Sequence, residues 1–260
     1  MSEGRADPAA KGYGGVVDDL EAEGAALEAV IGPLDAAAAA TPTAAEGWDV
    51  RDTVAHLAGG AWLAAVAVTE PAVFADRLAG VDRPDAPRDW DGVRDRWRAE
   101  RGRLVAGLRA AGPHDRHPWI AGPMSGRSFG AAQLMETWAH GVDIADAVGV
   151  PYPATFRLRH VARLGVRTRP FTFAQHGLPA PEDDVRVLLD APGGRVLWSW
   201  GRSETEVVRG DARDFCLVVT QRRHVDDTAL SVTGDVSQQW MQIAQAFAGP
   251  PTTAARGRGG

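Results

Sequence analysis

The stretch from residue 128 to residue 148, SFGAAQLMETWAHGVDIADAV, reads as one helix that the rest of the chain must surround. Leu134, Trp138, Val142 and Ala145 keep a helical spacing, and Met135 and Ala139 add to the apolar surface. Glu136 and His140 stand four residues apart, so they point from one side of the helix, a turn from each other. A buried carboxylate needs a partner. A metal ion shared with the imidazole supplies one; a solvated Glu–His pair is the alternative.

Other helices are legible on both sides of this one. Residues 16–31 form a first helix, ended by Gly32-Pro33, and 36–45 read as a small-residue linker. Thr43-x-x-Glu46 and Asp49-x-x-Asp52 are rival capping boxes ahead of a long helix, WDVRDTVAHLAGGAWLAAVAVTE. Its buried stripe is Val50, Val54, Leu57 and Ala61, with His56 beside it, and Gly59-Gly60 leaves room for another element to approach. A short helix is expected at 74–78. A further long one at 89–111 carries Trp90, Val93, Trp97, Leu104 and Leu108 at helical spacing. The loop HDRHPWIAGPMSG then leads into the opening helix, which Gly149, Pro151 and Pro153 close. A helix at 155–166 and an irregular bridge at 167–181 follow.

The pattern changes near residue 182. VRVLLD and RVLWSWG read as two strands joined at Gly-Gly, DARDFCLVVTQRR as a short helix, and LSVTG as a strand. DVSQQWMQIAQAFA reads as a terminal helix capped by Asp235, with Val236, Trp240, Ile243 and Phe247 spaced for burial. The expected fold class is α+β: a helical domain over 13–178 and a small α+β domain over 182–249, with loose tails outside them.

The length of 260 residues suits one large domain or two smaller ones. No apolar run reaches the roughly 18 residues that span a bilayer. The opening MSEGRADPAAKGYGG lacks the basic-then-apolar pattern of a signal peptide, so cytoplasm is the simplest placement. The single cysteine, Cys216, excludes an intrachain disulfide and any cysteine-based metal knuckle. A net charge of -6, with basic residues scattered among acidic ones, leaves no footprint for nucleic acid. GPMSGRSFG lacks the Lys-Ser or Lys-Thr of a phosphate loop, and no Gly-x-Ser-x-Gly elbow is present. What remains is a small-molecule site.

Two imidazoles and a carboxylate, His56, Glu136 and His140, form a set common at catalytic zinc, with a fourth position left to water or substrate. Helices of a bundle can bring such residues together. Core histidines plus a surface glutamate are the bland alternative. Asp143 continues the same helix side, as a carboxylate orienting an imidazole or as part of an exposed acidic face. His114 and His117 could supply a ligand or a proton donor, but beside Asp115 and Arg116 they are expected to face solvent; His160 and His176 are weaker candidates still. Cys216 in FCLVV reads as a buried, inert thiol. Arg222 and Arg223 follow the short helix and can grip a carboxylate or simply favour the helix end.

Taken together, GWDVRDTVAHLAG at 47–59, METWAHGVDIADAVG at 135–149, GDARDFCLVVTQRR and LSVTGDVSQQWMQIAQAFAG resemble the mycothiol-dependent maleylpyruvate isomerase family within the DinB-like metal-binding bundles. The resemblance spans nearly the full chain. It implies a DinB-like four-helix bundle with a small C-terminal, sterol-carrier-like α+β domain. It further implies a divalent ion, Zn2+ by preference, on His56, Glu136 and His140, and mycothiol as thiol cofactor in an actinobacterial cytoplasm. In such enzymes the thiolate adds to an activated double bond, the bond rotates and the thiol leaves. An arginine of the small domain holds the acidic substrate, and Arg222 and Arg223 are the catalytic candidates here. The loops, the bridge at 167–181 and FCLVVTQRRHVDDT depart from the archetype and place the chain in a divergent branch. Isomerase or thiol transferase on a small, electrophilic, carboxylate-bearing molecule is the leading expectation. A thiol-free metal hydrolase and a non-catalytic metal- or ligand-binding bundle are the alternatives.

Overall fold

A computed structural model describes residues 13–82 and 84–249; the expected loose tails lie essentially outside them. Contacts divide the chain between Pro153 and Ala154. The N-terminal unit is a helical bundle, and the C-terminal unit a small α+β assembly. The helical segments 158–167 and 169–175 fall in the C-terminal unit, although composition groups them with the bundle.

In the bundle, α1 (Tyr13–Ile31) is followed by α2 (Ala36–Ala39), α3 (Val50–Thr69), α4 (Phe74–Leu78), α5 (Trp90–Ala110) and α6 (Gly126–Ala147). The stretch from 36 to 45 is thus not all linker, because Asp35 caps a four-residue helix through the amide of Ala38. Of the rival capping boxes before α3, Asp49 and Asp52 form the true one: each side chain accepts from the other's backbone amide. Thr43 instead closes a tight turn, its amide and hydroxyl both donating to the Trp48 carbonyl. Gly47 within that turn has φ +77°, a conformation that favours glycine.

α3 packs along α5 and α1 along α6, with α3 also meeting α6. Leu27 and Ile31 of α1, Val50 and Val54 of α3, Trp90, Val93 and Trp97 of α5, and Ile144 of α6 share one core. The periodic apolar residues expected of α5 are all buried. α6 is buried on most of its circumference, as a helix with few polar sides requires. Gly141 permits one close approach: a Cβ there would stand 2.4 Å from the Tyr152 ring. Tyr152 folds over it and donates its hydroxyl to buried Glu23 of α1 at 2.9 Å. The loop before α6 is not wholly irregular, since β1 (Arg116–His117) and β2 (Met124–Ser125) pair antiparallel.

The C-terminal unit contains α7 (Leu158–Arg167), α8 (Arg169–Gln175), β3 (Arg186–Asp190), β4 (Leu197–Trp200), β5 (Val207–Asp211), α9 (Ala212–Val219), β6 (Ser231–Thr233) and α10 (Asp235–Ile243). The sheet order is β4-β3-β5-β6, with β3 and β5 parallel and the outer pairs antiparallel. The β3–β4 hairpin turns at Gly193 and Gly194, both with positive φ. Three features differ from the sequence expectation. The bridge at 167–181 contains α8, β5 is an additional strand, and α10 is capped by Gly234 rather than Asp235 and ends at Ile243. Beyond that end the chain leaves the helix, and Thr172 exchanges hydrogen bonds with both backbone groups of Gln245. Among the described residues no single helix is long and apolar enough to cross a membrane.

Candidate metal centre

Three side chains of the bundle converge: His56 from α3, and Glu136 and His140 from α6. Each offers one ligand atom, and the three atoms lie within 4.8 Å of one another. His140 Nε2 stands 3.7 Å from Glu136 Oε2. Ligands about 2.0–2.2 Å from one tetrahedral ion are roughly 3.3–3.6 Å apart, so the group needs only a small contraction to close on a metal. The His56 and His140 rings meet edge to face with centroids 4.9 Å apart.

Local structure explains the convergence. Four residues along α6 bring Glu136 and His140 onto one side. The capping box fixes where α3 starts, and His56 follows two turns later beside the buried stripe. Trp48, presented by the turn that Thr43 closes, lies 4.9 Å from the His56 ring and 6.3 Å from that of His140, ring centre to ring centre. It walls one side of the imidazoles with an apolar surface.

His140 is oriented by a buried carboxylate. Its Nδ1 hydrogen-bonds Asp143 Oδ2 at 3.1 Å, and Asp143 is only 3 % exposed. Of the two readings of Asp143, the exposed acidic face is therefore excluded. With Nδ1 donating to a carboxylate, Nε2 keeps its lone pair and points it at the site, the arrangement usual for a metal-bound histidine. The donor set thus suits a divalent, zinc-like ion. Among the described residues no fourth histidine, cysteine or carboxylate joins the group, and His56 is exposed. Three protein ligands with solvent access leave room for an exogenous one.

The other candidates are distributed differently. Arg222 and Arg223 belong to the C-terminal unit, after α9, whereas the cluster lies wholly within the bundle. Gln221 turns the chain with φ +60°, and the amides of Arg222 and Arg223 return to the Leu217 carbonyl at 2.7 and 3.3 Å. Arg222 is buried and its guanidinium donates to the Thr220 carbonyl at 2.6 Å, while exposed Arg223 reaches the Arg222 carbonyl at 2.8 Å. Cys216 is buried, which raises its pKa and keeps it an unreactive thiol.

His117 is not at the surface. The β1–β2 hairpin lays its ring 5.4 Å from that of Phe129, and it is 4 % exposed. Burial lowers its pKa, and its ring is bonded to the backbone of Ala67. One contributor escapes the sequence reading: Trp48, whose ring contacts with both imidazoles depend on a turn and leave no periodic signal in the sequence.

The sequence matches the family described as the mycothiol maleylpyruvate isomerase N-terminal domain over residues 20–145. Uncharacterized proteins from two strains of Mycobacterium tuberculosis are each 42% identical over 250 residues, covering 92% of this chain and 97% of theirs. Two solved structures share the fold, a mycothiol-dependent maleylpyruvate isomerase and a histidine-to-alanine mutant of it. Each has a TM-score of 0.55 and covers 95% of this chain and 99% of its own, at 17% and 15% identity respectively.

Proposed function

The chain belongs to the mycothiol maleylpyruvate isomerase family, as a divergent member with a DinB-like bundle and a small α+β domain, and from that premise we propose a metal-dependent, thiol-using enzyme. It acts as an isomerase or thiol transferase on a small electrophilic molecule that bears a carboxylate, with mycothiol as the thiol. One observation carries the proposal: His56, Glu136 and His140 offer their ligand atoms within 4.8 Å of one another, with no fourth protein ligand among the described residues.

A divalent ion held there would lower the pKa of a coordinated thiol or water and stabilise its anion. The chain's own residues prepare that position. Two neutral imidazoles and one carboxylate leave a net charge of about +1, which favours an anionic ligand. Asp143 fixes the ring of His140. Trp48 screens one side from water, which strengthens the electrostatics there. Arg222 or Arg223 is proposed to hold the substrate carboxylate, by resemblance to the family. The proposal places the protein in the cytoplasm, where thiols stay reduced.

Elemental analysis after metal-replete purification tests the ligand set. The wild type should carry about one zinc per chain and His140→Ala close to none, with the helical circular dichroism preserved. Full zinc in His140→Ala would remove His140 from the ligand set. Crystals grown with mycothiol then separate the chemistries: sulfur at the ion supports thiol use, and a metal-bound water in a site that rejects the thiol points to hydrolysis instead.

A further inference from the structure

α1 meets both α5 and α6, and α3 meets the same two helices, so the α1–α5 seam lies across the bundle from the α3–α6 seam that carries the metal cluster. Arg98, Arg101, Val105 and Arg109 follow steps of three, four and four, so they share one side of α5. Two of these arginines are paired with α1: Arg98 holds Glu28, and Arg109 holds Asp18 and Glu21. The acidic side chains of α1 on this side are thereby taken. Among the described residues no hydrogen bond or ion pair reaches Arg101, which stands between the two pairs.

The backbone of α1 lets this guanidinium in. A Cβ at Gly24 would stand 2.5 Å from both Cδ and Nη1 of Arg101, so the side chain lies against bare helix. Its Cζ is 4.5 Å from the centre of the buried Trp97 ring, one turn back along α5. Cδ and Nη1 lie on the same edge of the planar group, and Nη1 is closed off without a partner. With that edge on Gly24, the Nε–H and Nη2–H edge is turned away from α1. This is the edge that grips a carboxylate through two hydrogen bonds, as Arg98 grips Glu28 through Nε and Nη2. Burial lowers the pKa of Arg101, against the opposing pull of Glu28 and Glu21, so an added carboxylate would favour its charged form.

Arg101 borders a cleft of about 490 Å³, the size of a small-molecule site, which runs past Gly102, Val105 and Ala106 to the Glu21–Arg109 pair. Eight residues of α5 make that run about 12 Å long. A Cβ at Gly102 would meet nothing within 4 Å, so the middle of the cleft is open, and its floor of Val105 and Ala106 is apolar. The far end is a closed ion pair, with Arg109 Nη2 donating to Glu21 Oε2 at 2.7 Å. A second negative charge on a ligand would find no free cation there and would face Glu21.

We propose that the α1–α5 cleft binds a small organic monocarboxylate, with its carboxylate on the Nε–Nη2 edge of Arg101 and its apolar body, up to about 12 Å long, along Gly102, Val105 and Ala106. This site is separate from the metal cluster and does not depend on the thiol-using function proposed above.

Isothermal titration calorimetry on the full-length protein tests the site, with octanoate, octan-1-ol and acetate as probes. Octanoate should bind at least about tenfold tighter than octan-1-ol, which lacks the charge, and than acetate, which lacks the body. Arg101→Met keeps the apolar stem and should lower octanoate affinity to that of octan-1-ol. Gly102→Leu fills the cleft from a helix position that accepts leucine and should weaken octanoate at least about tenfold. Both variants should keep the helical circular dichroism of wild type, and His140→Ala should keep full octanoate affinity. Absence of octanoate binding, equal affinity of wild type for octanoate and octan-1-ol, or unchanged octanoate binding in Arg101→Met or Gly102→Leu overturns the proposal. Loss of octanoate binding in His140→Ala would place the carboxylate on the metal cluster and overturn it as well.

Discussion

At the scale of residues, the cluster depends on what stands behind its ligands. Asp143 stands outside the three clustered side chains, yet its carboxylate holds the ring of His140 through Nδ1. Asp143→Asn keeps the shape and loses the charge, so zinc affinity measured against a competing chelator should fall about 10–100-fold. Unchanged affinity would reduce the His140–Asp143 bond to packing. His117 offers a second test, through pH. Burial holds its pKa below the ordinary 6.5, so between that value and its folded pKa the unfolded chain binds the extra proton. Stability contributed by the neutral ring is present above 6.5 and is lost as pH falls through the folded pKa. Urea melts from about pH 7 to about pH 5 should therefore show a shallower loss in His117→Phe than in wild type; parallel slopes would refute this. The three clustered side chains were legible because four-residue spacing and a second histidine helix are sequence properties. Whether Asp143 and His117 are buried was not, because burial is decided by the elements packed over them.

At the scale of elements, the cluster's geometry rests on where α3 begins. The Asp49–Asp52 box sets the start of the helix that carries His56 two turns later. Asp49→Ala should cost about 1 kcal/mol in chemical denaturation, within the usual range for a lost N-cap. Thr43→Val should leave the start of α3 intact, because its hydroxyl serves the Trp48 turn instead. An effect of Thr43→Val on the helix equal to that of Asp49→Ala would reverse these roles. Long amphipathic helices were readable from apolar spacing alone, as the burial of every expected α5 position shows. Short elements were harder. β5 alternates too weakly to announce itself, and its place is fixed by parallel pairing with β3, a partner about 20 residues away. α10 keeps helical spacing past Ile243, but the Thr172–Gln245 bonds offer the backbone a better alternative.

At the scale of the whole molecule, both ligand-bearing helices belong to the N-terminal unit. Zinc bound at the proposed site would stabilise what it touches, by about 2.7 kcal/mol at a hundredfold excess over Kd. Chelation should therefore speed amide hydrogen exchange in α3 and α6 and leave the β3–β5 pair unchanged. Equal acceleration in both units would mean that they unfold as one. The division itself was the least legible property: residues 158–175 are helical like the bundle, and only their packing assigns them elsewhere. The placing of two ligands on one turn of α6 and the third on α3 has a kinetic consequence. Glu136 and His140 are neighbours in a single helical turn and can chelate before any tertiary structure exists, whereas His56 lies 80 positions back along the chain. An ion captured by the local pair fixes one turn, the costly nucleus of a helix, and waits there for α3 to arrive. In a chain with one cysteine, and so no intrachain disulfide to tether it, an ion held on the proposed ligands would act as a folding template before it could act in any chemistry, and the refolding rate should rise with zinc concentration.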